Sequence, residues 1–408
     1  MSCFIGVYAT VDFGPGTNVQ DAFAAQRRFE PQGPLVNSEF YPGWLTHWGE
    51  KMATRPTSAV VQTLREILDA GANVNFYMIH GGTNFGFTAG ANMGDSYTAD
   101  IQSYDYDAPI TEAGDLTEKY YEIQKVIAEY LPLPNISVAT AEKGDYGELT
   151  LKATASFLAP RIRSSLGRTT QKDYPTTFEA VGQNFGYMLY ETTLPQSSQQ
   201  ELLIERFSDL AHVYVNENFI GSLSREYKTN SLTLEETNEG DKLSIIVENL
   251  GRINFGYDNH DPKGILSNVT LGGQILQNWD QTSFEFDNVN AVEECFEESR
   301  KGMKAEDCNN GNGFIFYVSK FQINQSKNKE VLLDTYLNMS DLKKGLVFIN
   351  GFNIGRYWPT RGPQYTLYIP GVYLKSYPEE NVIVLMEEEV VANEIQLSFT
   401  KEPMFDTK

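Results

Sequence analysis

The sequence predicts a multidomain chain in which an α/β segment of parallel strands is followed by all-β antiparallel sandwiches. Three observations carry that expectation. Up to about residue 133, short apolar runs alternate with amphipathic helical stretches. Beyond Pro132 and Pro134 the pattern changes to short alternating strands separated by Gly, Asn and Pro. Finally, 408 residues exceed what one ordinary hydrophobic core supports and suit two or three domains.

Taken in order, residues 4–11 form a short apolar strand, residues 19–28 a helix, and residues 34–40 the next strand. Residues 57–70 place Val60, Leu64, Ile67 and Leu68 on one helical face, with Gly71 as the stop. Residues 73–79 give a third strand. Asp115 with Glu118 makes a variant capping box, opening a helix whose Leu116, Tyr120, Ile123, Ile127 and Tyr130 share a stripe. Three successive βα units imply parallel strands. They are about three of the eight in a complete (β/α)8 TIM barrel, which takes about 250 residues. Residues 134–165 are expected as a linker after this first region, 1–133. Residues 148–153, 187–193, 212–215, 243–247, 346–349 and 382–386 then alternate as sandwich strands do. A division near residue 288 gives two β-sandwich domains, 166–288 and 289–404.

Composition narrows the function classes. Thirty-two Lys plus Arg against 54 Asp plus Glu give a net charge of -22, which repels nucleic acid and anionic membrane. No apolar stretch approaches the roughly 18 residues that span a bilayer, and Met1-Ser2-Cys3 begins no recognisable signal peptide. Four Asn-x-Ser/Thr sequons, at Asn135, Asn268, Asn324 and Asn338, nevertheless fit a protein of the secretory pathway. The cysteines point the same way. Cys295 and Cys308 flank a polar loop rich in Gly and Asn and can close a small disulfide, whereas Cys3 has no partner in view and suggests one upstream. The four histidines are scattered without ligand spacing, and Gly81-Gly82-Thr83-Asn84 lacks a phosphate-loop lysine. Neither a metal nor a cofactor is expected.

Chemistry concentrates in Asn37-Ser38-Glu39-Phe40-Tyr41 and the Gly43-Trp44-Leu45 that follows. One carboxylate stands at the end of an apolar run among aromatic rings. A carboxylate can attack an anomeric carbon, and flat rings suit the C–H face of a pyranose. The plainer alternative is a solvated glutamate beside core aromatics.

Around Glu39 the segments GVYATVDFG, GPLVNSEFYPGWLTHWGE, NFYMIHGGTNFGF and SYDYDAPITEAGDLTEKY, then VENLGRINFG, KGILSNVTLGG and KGLVFINGFNIGRYWPTRGPQYTLYIP, fall in one order from Gly6 to Pro370. In them the chain resembles family 35 of the glycoside hydrolases, the retaining β-galactosidases. The resemblance implies the last three units of a TIM barrel, with Glu39, the nucleophile, ending the seventh strand and Tyr77 on the eighth, followed by two jelly-roll-like domains. It implies a β-galactoside as substrate, lysosomal or secreted localisation, and sugar contacts from Trp44, Tyr77, Tyr104 and Tyr106. The family's acid/base, a Glu preceded by Asn on the fourth strand, would lie upstream of Met1, so the chain as given is expected to be inactive. Asn216-Glu217 has that composition but reads as a hairpin turn. Arg252 and Arg356 read as structural, Arg356 anchoring turns beside Tyr357 and Trp358. A non-catalytic product that binds carbohydrate or protein, and an incomplete gene model, stay open as alternatives; oligomeric state is not legible.

Overall fold

The computed structural model describes residues 6–406 apart from 196–198, 236, 257–258, 304–305, 310–313, 324–331 and 390–391. Cys3 and the Asn324 sequon lie outside the described residues. Strands β1 (Val11–Asp12), β2 (Val36–Phe40) and β3 (Asn73–Phe76) pair in parallel in that order. Helices α1 (Val19–Arg27), α2 (Thr57–Asp69) and α3 (Glu118–Ala128) supply the apolar faces that cover one side of this sheet. Phe40, Val60, Leu64 and Ile67 are fully buried there, joined by Phe13, Phe23, Ile123 and Val126. The parallel arrangement is a partial, barrel-like sheet.

Three boundaries differ from expectation, each for a traceable reason. Among the described residues the first strand is confined to Val11–Asp12, because the Ala9 N–H donates to the Glu30 carboxylate instead of to a neighbouring strand. The third strand ends at Phe76, since the backbone from Ile79 to Gly81 turns to pair with Ile110. Tyr77 therefore stands just beyond the strand. The cap of α3 is Thr117, whose hydroxyl accepts the Tyr120 N–H at 3.3 Å, while the Asp115 carboxylate pairs with Lys143 at 3.0 Å. The side chains that α3 buries are Lys119, Ile123 and Val126.

Short strands β4 (Gly82–Thr83), β5 (Ala91–Met93), β6 (Tyr97–Ala99) and β7 (Ser103–Tyr104) lead from the parallel sheet to α3. β5 pairs with β6 and, in parallel, with Ile253–Gly256 from the following all-β region. That pairing ties the first third of the chain to the rest, and Trp48, Tyr97, Leu250, Ile253 and Trp358 pack around it in one cluster.

The remainder is all-β. Six strands form one sheet in the order Asn218–Ser224, Leu210–Val215, Lys242–Glu248, Tyr187–Thr193, Trp279–Phe284, Arg168–Lys172. Its Met188, Tyr190, Ile245 and Val247 face a four-stranded sheet, whereas Tyr187, Leu189 and Ile246 face the last sheet of the chain. Burial on both faces leaves Leu210–Val215 and Lys242–Glu248, central in this sheet, with more consecutive buried residues than the alternation expected at 212–215 and 243–247. The last sheet has eight strands, and residues from its two ends, such as Ile354 and Leu367, share one core with Leu149 and Leu151. Leu149 and Leu151 belong to β8 (Glu148–Ser156), in the middle of that sheet between Ile315–Phe321 and Glu394–Thr400. The alternating strand expected at 148–153 is thus a core strand running to Ser156, overlapping the expected linker 134–165, and α4 (Pro160–Leu166) follows directly. Leu149 and Leu151 point inward and alternate with exposed Glu148 and Thr150, the pattern of a half-buried strand.

Where the two large sheets meet, Arg356 is buried, donating to Glu248 at 2.6 Å and to the Asn249 carbonyl at 3.1 Å. Lys344 joins Glu248 and Glu388 beside it, and the single Tyr187 hydroxyl proton lies between the two carboxylates, 2.7 Å from Glu388 and 3.1 Å from Glu248 by oxygen–oxygen distance. Arg356 therefore bridges sheets; it does not anchor a turn. Cys295, on a helix over Asn290–Arg300, is disulfide-bonded to Cys308 with a Cα–Cα distance of 6.2 Å.

Candidate active site

Glu39 is the fourth residue of β2, half-buried, with its N–H held by the Asn37 side-chain oxygen at 3.2 Å. Asn37 is itself fixed by donation to the Phe13 carbonyl at 3.1 Å, so two strands set the backbone that presents the carboxylate. Tyr41 donates its hydroxyl to Glu39 Oε2 at 3.0 Å. From Tyr41 the rings continue without a break. Its centroid is 5.2 Å from Trp44 and 6.4 Å from Tyr77; Tyr106 lies 6.3 Å from Trp44 and 6.0 Å from Tyr77, and Tyr104 stacks on Tyr106 at 5.3 Å. The hydroxyls of Tyr77 and Tyr104 stand 3.5 Å apart. Trp44 and Tyr77 are 39% and 37% exposed, so the cluster offers ring surface to an incoming molecule while Tyr106 is almost wholly covered.

Burial raises the pKa of Tyr41, Tyr104 and Tyr106 above the ordinary tyrosine value. For Tyr41 the hydrogen bond to Glu39 adds to it, for Tyr104 the bond with Tyr77, and for Tyr106 the neighbouring Tyr77. The raised values keep these hydroxyls protonated, and Tyr41, as donor to Glu39, is the one placed to stabilise an anionic carboxylate.

The loop that carries Tyr104 and Tyr106 is built against the loop after Glu39. The Trp44 N–H donates to the Tyr106 carbonyl at 3.0 Å, and Gly43 packs so closely on that carbonyl that an added Cβ would overlap it. Tyr106 and Asp107 both hold left-handed backbone, with φ of 66° and 52°. Such residues cost about 1–3 kcal/mol each and persist only where surroundings enforce them. On the other side of the loop, β7 pairs with β4, and buried Glu112 accepts from Thr83 Oγ1 at 2.5 Å and from Ser103 Oγ at 2.6 Å. Burial raises the Glu112 carboxyl to about 8, with the two hydroxyls pulling the other way.

Glu39, Trp44, Tyr77, Tyr104 and Tyr106 thus come together as one surface. Asn216 and Glu217 do not join them: they are the two left-handed residues, φ 48° and 64°, of the hairpin between Leu210–Val215 and Asn218–Ser224. Of the sequons, Asn135 and Asn268 are exposed, while Asn338 is half-buried with its side-chain oxygen accepting from Ser340. Two members of the neighbourhood escaped the sequence analysis. Tyr41 was named only within the motif, although a residue two positions from Glu39 in extended chain shares its side. Asp12 is the register partner of Glu39 on β1, yet its carboxylate accepts from Ser38 Oγ at 2.5 Å. Among the described residues no group of three or more His, Cys, Asp or Glu is placed to hold a metal ion. A cavity of about 1080 Å³ lies between α1 and α2, lined by Val19, Phe23 and Thr63 among others, and touches none of the rings.

Comparison with known proteins fits this arrangement. Residues 4–130 match glycosyl hydrolases family 35, residues 175–285 the first all-beta domain of beta-galactosidase, and residues 314–381 its galactose-binding domain. The chain is 41% identical over 393 residues to the beta-galactosidase of Homo sapiens, covering 93% of this chain and 57% of that protein. For the beta-galactosidase of Bos taurus the figures are 40% over 422 residues, 98% and 63%. For the Beta-galactosidase-1-like protein of Mus musculus they are 39% over 415 residues, 98% and 61%. The chain therefore spans about three fifths of the length of these relatives.

Proposed function

We propose, from the match of residues 4–130 to glycosyl hydrolases family 35, that the chain carries the nucleophile side of a retaining β-galactosidase site. Glu39 attacks the anomeric carbon of a terminal β-linked galactose, the bond to the aglycone oxygen breaks, and a galactosyl ester forms on the carboxylate. Water then cleaves that ester and regenerates Glu39 with overall retention. Tyr41 steadies the charge on Oε2, and the exposed faces of Trp44 and Tyr77, with Tyr104 and Tyr106 behind them, receive the sugar. The observation that carries the reading is the 3.0 Å bond from Tyr41 to a carboxylate one residue before the end of a parallel strand, inside this ring cluster.

In the same reading, residues 1–133 are the last three units of a TIM barrel. Residues 166–288 and 289–404 are two jelly-roll-like sandwiches, the second taking β8 as one of its strands. Retention needs a second carboxyl about 5–5.5 Å from the first, to protonate the departing oxygen. We assign that part to none of the described carboxylates: Asp12, the register partner, is engaged by Ser38. General acid catalysis contributes about 10²–10⁴-fold, so the 408-residue chain is expected to turn over little or nothing beside a form with the length of its relatives. Lysosomal or secreted localisation, with glycans on the exposed sequons, belongs to the same proposal.

The test uses a 2-deoxy-2-fluoro-galactoside and the longer form. Label on the peptide containing Glu39, and loss of turnover by Glu39→Gln with unfolding unchanged, are the expected results. Label on another carboxylate would move the nucleophile. Galactose-binding without turnover in both forms would favour a non-catalytic product.

A further inference from the structure

Lys119 stands in the buried stripe of α3, where an apolar side chain would be the ordinary choice, and its side chain is 4% exposed. Its ammonium donates to the Pro42 carbonyl at 2.8 Å, to the Asp107 carbonyl at 2.6 Å and to Asp107 Oδ2 at 2.7 Å. Three donors meet three acceptors. Pro42 lies between Tyr41 and Gly43 on the loop that follows Glu39, and Asp107 directly follows Tyr106 on the opposing loop. Asp107 Oδ2 also accepts the Arg55 N–H at 2.6 Å, extending the tie to the segment that enters α2.

We propose that Lys119 is a positioning residue for the sugar site, clamping the loop of Tyr41 and Trp44 to the loop of Tyr104 and Tyr106. The left-handed pair Tyr106 and Asp107 is the reason a clamp is needed. Released from Lys119, the Asp107 carbonyl would rotate toward ordinary backbone, drawing the Tyr106 carbonyl off the Trp44 N–H and turning the Tyr106 ring from its neighbours. Buried ammonium is costly to desolvate, and packing alone would be served as well by an apolar residue. Full satisfaction by two loops and no other element marks the contact as one between loops. The clamp rests on the geometry; its catalytic consequence rests on the reading of Glu39 as nucleophile.

The experiment compares Lys119→Met, Lys119→Arg and Asp107→Asn by hydrogen exchange on the 408-residue chain, and by turnover in the form with the length of its relatives. Lys119→Met should raise amide exchange by at least about tenfold at Trp44 and across 104–108, leaving the all-β strands protected. It should lower kcat by about 10–100-fold, since a displacement of about 1 Å can cost 10²-fold. Lys119→Arg, which keeps a cation and donors, should recover part of both. Should Lys119→Met fail to fold, Asp107→Asn carries the same expectation in milder form. Exchange unchanged at Trp44, exchange raised equally in every strand, or loops loosened with turnover intact would each overturn the proposal. If Glu39→Gln kept its turnover, the sugar reading would fall, and the exchange pattern would judge the clamp alone.

Discussion

The carboxyl of Glu112 makes stability depend on pH in a direction that the structure fixes. It is buried beneath the loop of Tyr104, held by the hydroxyls of Thr83 and Ser103, and raised from 4.5 to about 8. Between these values the folded chain keeps a proton that the unfolded chain has lost. Its contribution is therefore fully present below about 4.5 and is lost as pH rises toward about 8. The difference, 8 minus 4.5, at about 1.4 kcal/mol per unit, sets a ceiling of about 5 kcal/mol. Glu112→Gln removes the titration while keeping the shape, and its amide can donate to the same hydroxyls. Thermal unfolding of both proteins from pH 4 to 8 is the assay. The variant should match the wild type within a degree or two at pH 4, and should outlast it by several degrees at pH 8. Asp105, also raised by burial and an acceptor from the Glu112 N–H, and Asp100, raised by burial to about 6, are present in both proteins, so the difference reports Glu112 together with its coupling to Asp105. Parallel curves for the two proteins would refute the reasoning.

Two further outcomes follow from packing. Gly43→Ala places a methyl against the Tyr106 carbonyl, and overpacking of this kind costs about 1–3 kcal/mol; a lowered unfolding temperature with altered Trp emission should result, and an unchanged variant would mean the two loops are not docked as described. Arg356→Met removes one of the two cations that pair with Glu248 between the large sheets, leaving Lys344. Breaking a buried pair from one side costs about 3–5 kcal/mol, so denaturant unfolding should shift clearly, whereas replacing Arg356 and Glu248 together by apolar residues should restore much of the loss.

The sequence carried those parts of the fold where one physical cause acts alone. The α2 stripe of Val60, Leu64 and Ile67 answers to a single buried face, and Gly71 stops it at a left-handed position, φ 65°, as expected. Strand Tyr187–Thr193 stands where the sequence places it, although burial on both faces, and not the alternation expected there, accounts for its pattern. Where two causes compete, sequence pattern misled. The strand at 148–153 was legible from its alternation, yet the linker bounds 134–165 overlap it, because prolines mark where that segment starts and nothing comparable marks where it ends.

The site divides along the same line. Glu39 and its rings could be read because their chemistry is written in residue types close together along the chain. Lys119 could not, because its three acceptors include two backbone carbonyls, which every residue possesses and no sequence pattern marks. The same holds for the left-handed backbone of Tyr106 and Asp107, two residues with no glycine to announce it. A reacting carboxylate is a matter of residue identity, whereas the precision with which a sugar would be held against it is a matter of backbone geometry, maintained here by Gly43, Lys119 and Glu112 from three sides of one loop. Substitutions at Gly43 and Lys119 should therefore disturb the site as surely as substitutions among the rings.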